Sequence, residues 1–270
     1  MICKILYKVL FVGWFLISKM PACIHYFNST CAYYLVYYII RYRRKIVKDN
    51  LTTSFPDKSK NEILRIEKDF YRHFCDIIVE SIMYFGMSQK EIQKRMIFTN
   101  LDGLRNDCIN GRSVAIYMGH FGNWEWVSSI ALEISDISIA TEIYHPLENK
   151  VFDRLIGYTR QRFGSKCIPV DESVRHIVRY IKSCKPIVIG FISDQTPRWN
   201  NIHLWLPFLN HSETPIFTGA ERLTKKFNMT VYYLDLKQVR RGYYEASLKL
   251  ISEDPRKFNL ELQFPVDENK

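Results

Sequence analysis

Short apolar runs alternate with amphipathic stretches in the second half of the chain. The apolar runs lie at 114–118, 187–192 and 230–234. Helical patterns fill the intervals, at about 124–133, 148–163, 172–183 and 215–228. This alternation predicts an α/β fold, with a mainly parallel sheet flanked by helices. A last strand at 244–251, after the turn signal Arg240-Arg241-Gly242, predicts an antiparallel hairpin at the sheet edge.

Region 51–110 has the spacing of helices. Asp57 and Ser59 are candidate N-terminal caps, and Gly86 ends the pattern as a C-terminal cap would. Between them, apolar residues recur mostly three or four positions apart, at Ile63, Ile66, Phe70, Phe74, Ile77, Ile78, Ile82 and Phe85. This stripe predicts amphipathic helix whose apolar side faces the core.

Two apolar runs stand out near the N-terminus. The run 5–17 carries one lysine. It is too short to span a membrane as a helix, which needs about 20 residues. The run 33–40 ends in the cationic block 41–45. Two interpretations are possible: helices that lie in or dip into a bilayer, or a buried helix followed by a charged turn. The adjacent apolar and basic blocks favour the first interpretation. We therefore predict a membrane-associating helical segment at 1–50 and an α/β domain at 51–270.

Composition narrows the functional classes. The 270 residues carry a net charge of +10 and are 47% hydrophobic, which excludes a disordered or low-complexity chain. A basic chain rich in aromatic residues suits an anionic membrane surface. Nucleic acid is the competing polyanion, but no nucleic-acid-binding signature is present and no such partner is expected. Seven cysteines, an odd number without a CxxC pair, favour a reducing cytosolic environment.

The first predicted strand ends in a motif with candidate catalytic chemistry, Gly119-His120-Phe121-Gly122-Asn123-Trp124-Glu125. Asn123 is a suitable N-cap, and Glu125 falls in the first helical turn. A carboxylate there can reach His120, fix its tautomer and raise the basicity of its free nitrogen. The alternative is a structural histidine and a carboxylate that only complements the helix dipole. Without a serine or cysteine nucleophile or metal-binding spacing, the motif predicts direct activation of a substrate hydroxyl or water.

Two later clusters carry polar residues at predicted element ends. Arg160 and Arg162 precede a glycine that is expected to end their helix; they either bind phosphate or carboxylate or lie on a solvated face. Asp194 and Gln195 follow the second apolar run. They are candidates to orient the base or hold a substrate hydroxyl, with ordinary turn chemistry as the alternative. Sites in parallel sheets lie beyond the carboxyl ends of the strands, which is where Asp194 and Gln195 fall.

The order of these blocks resembles that of the bacterial lipid A biosynthesis acyltransferases, which add secondary acyl chains to a Kdo-bearing lipid A precursor. The matching blocks are 41–45 with Asn50-Leu51 and Phe55-Pro56, the H-x4-E box 120–125, the segment 144–164, Ser193-Asp194-Gln195, and Pro207-Phe208 with Thr218-Gly219. The box alone is shared with glycerophospholipid acyltransferases. The flanking Asn-Trp and the later blocks favour the lipid A family, over about residues 10–250.

The resemblance implies a membrane-associated O-acyltransferase with a glycerolipid acyltransferase-like fold. His120 would be the general base on the acceptor hydroxyl, and Glu125 its orienting carboxylate. The residues expected to contact substrate are Asn123, Arg160, Arg162, Asp194 and Gln195, with the two arginines on phosphate. The donor would be an acyl chain on acyl carrier protein and the acceptor a lipid A precursor, without cofactor or metal. Such an enzyme would work at the cytoplasmic face of the bacterial inner membrane.

Two departures from the family pattern bear on activity. The family usually closes with a helical tail that has no counterpart before Lys270, which suggests a missing C-terminal tail. The loop after Gln195 reads Thr196-Pro197-Arg198, where a small or acidic residue is common. The alternatives that stay open are an acyltransferase for a glycerophospholipid or another glycolipid, and an inactive membrane lipid-binding relic.

Overall fold

The computed structural model describes residues 2–183, 185–197, 199 and 202–257. Within these ranges, seven strands form one sheet and two more form a separate hairpin. The strands are β1 Met96–Thr99, β2 Val114–Met118, β3 Ile139–Tyr144, β4 Lys166–Pro169, β5 Ile187–Ile192, β6 Trp205–Phe208, β7 His211–Pro215, β8 Thr230–Arg240 and β9 Tyr243–Ser252. The chain end, on which the expectation of a missing tail depends, lies outside the described residues.

The large sheet is mostly parallel. Its strand order is β1-β9-β8-β2-β5-β3-β4, and among its described pairs only β8–β9 is antiparallel. The α/β prediction is therefore confirmed, and β2 and β5 coincide with the apolar runs that predict them. The predicted edge position of the last hairpin is wrong, because β1 pairs alongside β9 and makes it an internal strand. A four-residue strand such as β1 has too little periodicity to be recognised between helices.

Helices cover both faces of the sheet. They are α1 Ile2–Ser18, α2 Ala22–Tyr34, α3 Arg44–Ser54, α4 Lys60–Gly86, α5 Gln89–Arg95, α6 Asp102–Ile109, α7 Ala131–Ile134, α8 Lys150–Gln161, α9 Ser173–Lys182 and α10 Gly219–Lys226. Alternate residues of β2 point to opposite faces. Val114 and Ile116 join a core with α4, α6 and α7, whereas Ala115 joins a second core with α9 and α10.

The N-terminal helices lie against α4. Both α1 and α2 contact α4, and α1 also contacts α8. In the part of the chain that the structure describes, no single helix is long and apolar enough to cross a membrane; Ile5–Ser18 and Ala22–Ile40 reach that composition only together, bent by 104°. Many of their apolar side chains are exposed, including Val9, Phe27 and Ile39. Membrane association and the boundary at residue 50 stay predictions.

Helix α4 begins and ends where its caps predict. The side-chain oxygen of Ser59 accepts a hydrogen bond from the Glu62 N–H, and the Glu62 carboxylate accepts one from the Ser59 N–H at 2.9 Å. This reciprocal capping box satisfies two donors that would otherwise lack a partner at a helix start. Gly86 is the last helical residue.

The buried side of α4 differs from the predicted stripe. Phe70 and Ile78 are exposed, whereas three acidic residues, Glu67, Asp76 and Glu80, are buried. Each of these carboxylates accepts hydrogen bonds from another element, which offsets the cost of its burial. The apolar periodicity therefore identifies the helix correctly but not the full set of residues that face the interior.

The hairpin β6–β7 stands apart from the large sheet. It begins ten residues after Gln195 and ends two residues before Phe217, and both of these residues line the cleft described below. Its apolar side chains Trp205, Phe208 and Leu209 are all exposed. This segment thus extends from the edge of the candidate site with an apolar surface.

Candidate active site

Strands β2 and β5 are neighbours, and their ends bring two polar segments together. Met118, the last residue of β2, is paired with Ile192, the last residue of β5. The segments that follow, 119–125 and 193–195, therefore leave the sheet at the same edge, beyond the carboxyl ends of the strands. A cleft of about 300 Å³ lies there. Its polar and aromatic walls include His120, Trp124, Glu125, Glu142, Arg160 and Gln195.

The imidazole of His120 is hydrogen-bonded to the carboxylate of Asp194. Nδ1 of His120 lies 2.6 Å from Oδ1 of Asp194, and the backbone N–H of His120 donates to Oδ2 at 2.8 Å. Gly119 permits this close approach, because a Cβ at that position would lie 2.9 Å from the same Oδ2. Two contacts to one carboxylate fix both the position and the orientation of the ring.

The partner on Nδ1 determines where the histidine can act as a base. An ionised carboxylate only accepts hydrogen bonds, so Nδ1 of His120 carries the proton and the neutral ring has its lone pair on Nε2. The amide nitrogen of Gln195 lies 3.4 Å from Nε2, a long contact that a substrate hydroxyl can replace. Trp124 packs edge-on against the ring, with centroids 5.1 Å apart. The side chain of His120 is 30% exposed and lines the cleft.

Glu125 lies on another wall of the cleft and is paired with Arg160. Nε of Arg160 donates to Oε2 at 2.8 Å, and Nη2 donates to Oε1 at 2.5 Å. The predicted hydrogen bond between Glu125 and His120 is not found; Asp194, the other candidate for orienting the base, has that position. A bidentate contact with a guanidinium is among the strongest that a carboxylate makes, which explains why Glu125 turns towards α8. A catalytic role of Glu125 and phosphate binding by Arg160 stay predictions.

Glu142 of β3 is a second acid on the same wall. Its Oε1 accepts a hydrogen bond from the thiol of Cys167 at 2.9 Å and lies 4.0 Å from Nε of Arg160. Burial raises the pKa of Glu142, while the charge of Arg160 acts in the opposite direction. Burial by itself would lower the pKa of Arg160, but its hydrogen bonds to Glu125 together with the negative charges of Glu125 and Glu142 outweigh this and raise it. Arg160 is therefore a permanent positive charge between two carboxylates.

Two of the predicted substrate-binding residues do not line the cleft. Asn123 is fully buried: its Oδ1 accepts a hydrogen bond from the Trp126 N–H at 3.2 Å, and its Nδ2 donates to Glu80 at 2.7 Å. Nη1 of Arg162 donates to the carbonyl of Tyr84, and burial lowers the pKa of Arg162. The N-cap predicted at Asn123 is confirmed, whereas substrate contact by either residue has no support in this geometry.

Three residues at or beneath the site are missed by sequence reasoning, namely Glu80, Glu142 and Cys167. The available signal is an acid at a position that the surrounding pattern buries: Glu142 interrupts the apolar strand β3, and Glu80 lies within the helical stripe of α4. A charge at such a position is rarely left without a partner. The sequence does not indicate which partner it has.

The fold and the cleft together define an α/β protein with a histidine–carboxylate pair at the edge of a mainly parallel sheet. The family model of bacterial lipid A biosynthesis acyltransferases matches residues 4–248, so the chain belongs to that family. The resemblance found in the sequence is thereby confirmed, and the family supports an acyltransferase function of the lipid A type. No curated protein matches the chain significantly.

Proposed function

We propose that this protein transfers a fatty acyl chain from acyl carrier protein to a hydroxyl of a lipid A precursor. The observation that carries the proposal is the 2.6 Å contact between Nδ1 of His120 and Asp194, at a cleft in a member of this family. The contact leaves Nε2 available as a base on the cleft side. The family supports a lipid A precursor as the acceptor.

The proposed reaction is direct acyl transfer without an acyl-enzyme intermediate. Nε2 of His120 takes the proton from the acceptor hydroxyl as its oxygen attacks the carbonyl carbon of the donor thioester. Asp194 stabilises the imidazolium that results. When the tetrahedral intermediate collapses, the carbon–sulfur bond breaks, and the imidazolium returns the proton to the thiolate. The products are the new ester and the free thiol, and the histidine is again neutral.

The remaining groups of the cleft have supporting roles in this proposal. Arg160 and Glu125 hold α8 against the turn that follows β2. Gln195 occupies the place of the acceptor hydroxyl at Nε2 until substrate arrives. The donor protein is proposed from the family resemblance and from the net charge of +10, since a basic surface attracts an acidic carrier protein.

We further propose that the protein works at the cytoplasmic face of the inner membrane. The bent pair of N-terminal helices exposes apolar side chains, and the cations Arg41, Arg43 and Lys45 that follow it are exposed as well. An apolar surface next to exposed cations is what binding to an anionic lipid surface requires. The exposed Trp205 and Phe208 of the β6–β7 hairpin are consistent with a second contact beside the cleft.

The test is an acyl-transfer assay on washed membranes that contain the protein. A radiolabelled acyl chain on acyl carrier protein is offered with either a Kdo-bearing lipid A precursor or a lysoglycerophospholipid. We expect transfer to the lipid A precursor, and a fall of about 10²–10⁴-fold in kcat for His120→Ala, which is the usual contribution of a general base. His176→Ala is the matched control, because His176 lies on α9 and does not line the cleft.

Each outcome decides between the candidate functions. Transfer to the lysoglycerophospholipid alone would show that the acceptor is wrong. Transfer to neither acceptor by the wild-type protein would reject the proposed function and leave another glycolipid acceptor or a lipid-binding relic. Near wild-type transfer by His120→Ala, with its fold intact by circular dichroism, would reject the proposed mechanism.

A further inference from the structure

A buried carboxylate lies beneath the turn that carries His120. Glu80 of α4 has no exposed surface and does not line the cleft. Its Oε2 accepts hydrogen bonds from Nδ2 of Asn123 at 2.7 Å and from the hydroxyl of Tyr244 at 2.8 Å. Its Oε1 accepts a third from the hydroxyl of Tyr26 at 3.0 Å. One side chain therefore joins α2, β9 and the turn after β2.

Helix α4 makes two further contacts with residues 119–126, the segment that contains this turn. Nε2 of His73 donates to the carbonyl oxygen of Gly122 at 3.2 Å, and Nε1 of Trp126 donates to the backbone carbonyl of Glu80 at 3.2 Å. Gly122 has a φ of 57°, and a Cβ there would lie 2.9 Å from Leu236. Helix α4 thus contacts this segment at three points, at Gly122, Asn123 and Trp126. The backbone at Gly122 has a conformation that glycine adopts without strain.

Filling space does not account for a carboxylate at this position. Burial raises the pKa of Glu80, and the hydrogen bonds from Asn123, Tyr244 and Tyr26 oppose that shift. A leucine of similar volume would fill the position without the cost of burying a charge. What the carboxylate adds is direction, because its hydrogen bond fixes the amide of Asn123, three residues after His120.

We propose that Glu80 is a positioning residue for acyl transfer: by holding Asn123 it fixes the turn that carries His120, so that Nδ1 stays on Asp194 and Nε2 faces the cleft. The proposal rests on the proposed function of His120 as the general base. Glu80 touches neither His120 nor the cleft and acts through Asn123 alone. A displacement of about 1 Å at a catalytic group can lower a rate by about 10²-fold, which sets the scale of the effect.

The first test compares two buried acids of the same helix. Glu67 is the matched control, because it is 1% exposed and is paired with Arg44 at 2.8 Å, away from the turn. We expect Glu80→Leu to lower kcat by about 10- to 100-fold with KM within about threefold of wild type. Glu67→Leu should lower the unfolding temperature and keep kcat within about twofold of wild type. Both are assayed as the full chain in membranes, well below their unfolding temperatures.

The second test reverses the hydrogen bond and does not require Glu80→Leu to fold. Asn123→Asp brings two carboxylates to the 2.7 Å contact, and we expect a similar loss of kcat. Adding Glu80→Gln supplies an amide that donates to the new carboxylate, so the double variant should regain kcat to within about fivefold of wild type. Aspartate caps helices as well as asparagine does, so the cap on Trp126 is kept throughout.

Three results would overturn the positioning role. They are wild-type kcat in folded Glu80→Leu, an equal loss of kcat in Glu67→Leu, and a double variant no better than Asn123→Asp. His120→Ala is assayed in parallel to separate the two proposals. If it retains transfer, the proposed function fails. If it loses transfer while folded Glu80→Leu keeps wild-type kcat, only the role of Glu80 is rejected.

Discussion

Asp194 and Glu125 each hold a nitrogen-containing side chain at the cleft, and these two side chains differ in whether they can transfer a proton. Asp194 holds the imidazole of His120 at 2.6 Å, with side chains 47% and 30% exposed. Glu125 holds the guanidinium of Arg160 at 2.5 Å, with side chains 20% and 23% exposed. An imidazole gains and loses a proton near neutral pH, whereas a guanidinium keeps its charge. The first contact is therefore suited to proton transfer, and the second to holding the wall in place.

The comparison separates the two acids that sequence reasoning left as candidates for orienting the base. Both Glu125 and Asp194 follow strand ends, and both are within reach of the cleft. What distinguishes them is the neighbour that each one meets, because Arg160 lies on α8 and engages both oxygens of Glu125. This bidentate contact orients the carboxylate of Glu125 towards α8.

The largest effect is expected from the Asp194 side. Asp194→Asn should lower kcat by about 10²–10⁴-fold, because an amide at this position no longer holds the proton on Nδ1 and no longer stabilises the imidazolium. The free energy of unfolding should change by less than about 1 kcal/mol, since both side chains of the contact are partly exposed. Steady-state kinetics with the lipid A precursor, together with thermal unfolding, check both statements. A kcat within tenfold of wild type would remove Asp194 from the mechanism.

A smaller catalytic effect and a larger effect on stability are expected from Arg160. Arg160→Met leaves Glu125 beside Glu142 without a cation between them, and we expect a loss of about 1–3 kcal/mol in the free energy of unfolding. Because the pair holds a wall and does not transfer a proton, kcat should fall by less than about tenfold. Denaturant unfolding and kinetics on the same preparation measure the two effects.

The double variant Arg160→Met with Glu125→Gln tests this explanation of the lost stability. Adding Glu125→Gln to Arg160→Met removes the unpaired charge and should recover part of the lost stability, as expected for two groups in contact.

Glu125→Gln alone tests whether Glu125 has only the structural role that the comparison gives it. If it lowers kcat as much as His120→Ala, Glu125 contacts the reacting groups during turnover, and the pairing predicted from the H-x4-E spacing has to be restored.

The smallest effect is expected from Arg162. Its guanidinium donates to the carbonyl of Tyr84 and lies over the ring of Phe163 at 4.6 Å, and it does not line the cleft. Arg162→Ala should change the KM for the phosphorylated lipid by less than about threefold. Titration of the acceptor in the transfer assay measures this. A tenfold rise in KM would support the phosphate contact that the sequence predicts.

Much of the fold follows from local patterns in the sequence. The strands β2 and β5, the long helix α4 with its Ser59 cap, and the position of the site beyond the strand ends are all predicted from residues close together in the chain. The short strand β1 and the internal position of β9 are not, because they depend on pairing between segments more than 140 residues apart. Such a pairing has no local signal.

The sequence by itself determined several of the elements, the candidate histidine and the family, because periodicity, caps and motif order are local properties of the chain. Only the tertiary structure decided which acid meets His120, since Asp194 lies 74 residues away and Arg160 lies 35 residues from Glu125. It likewise decided that α4 buries Glu80 beneath the turn, where a hydrophobic stripe was expected. A carboxylate is buried only where donors from other elements converge on it, and that convergence exists only once the chain has folded.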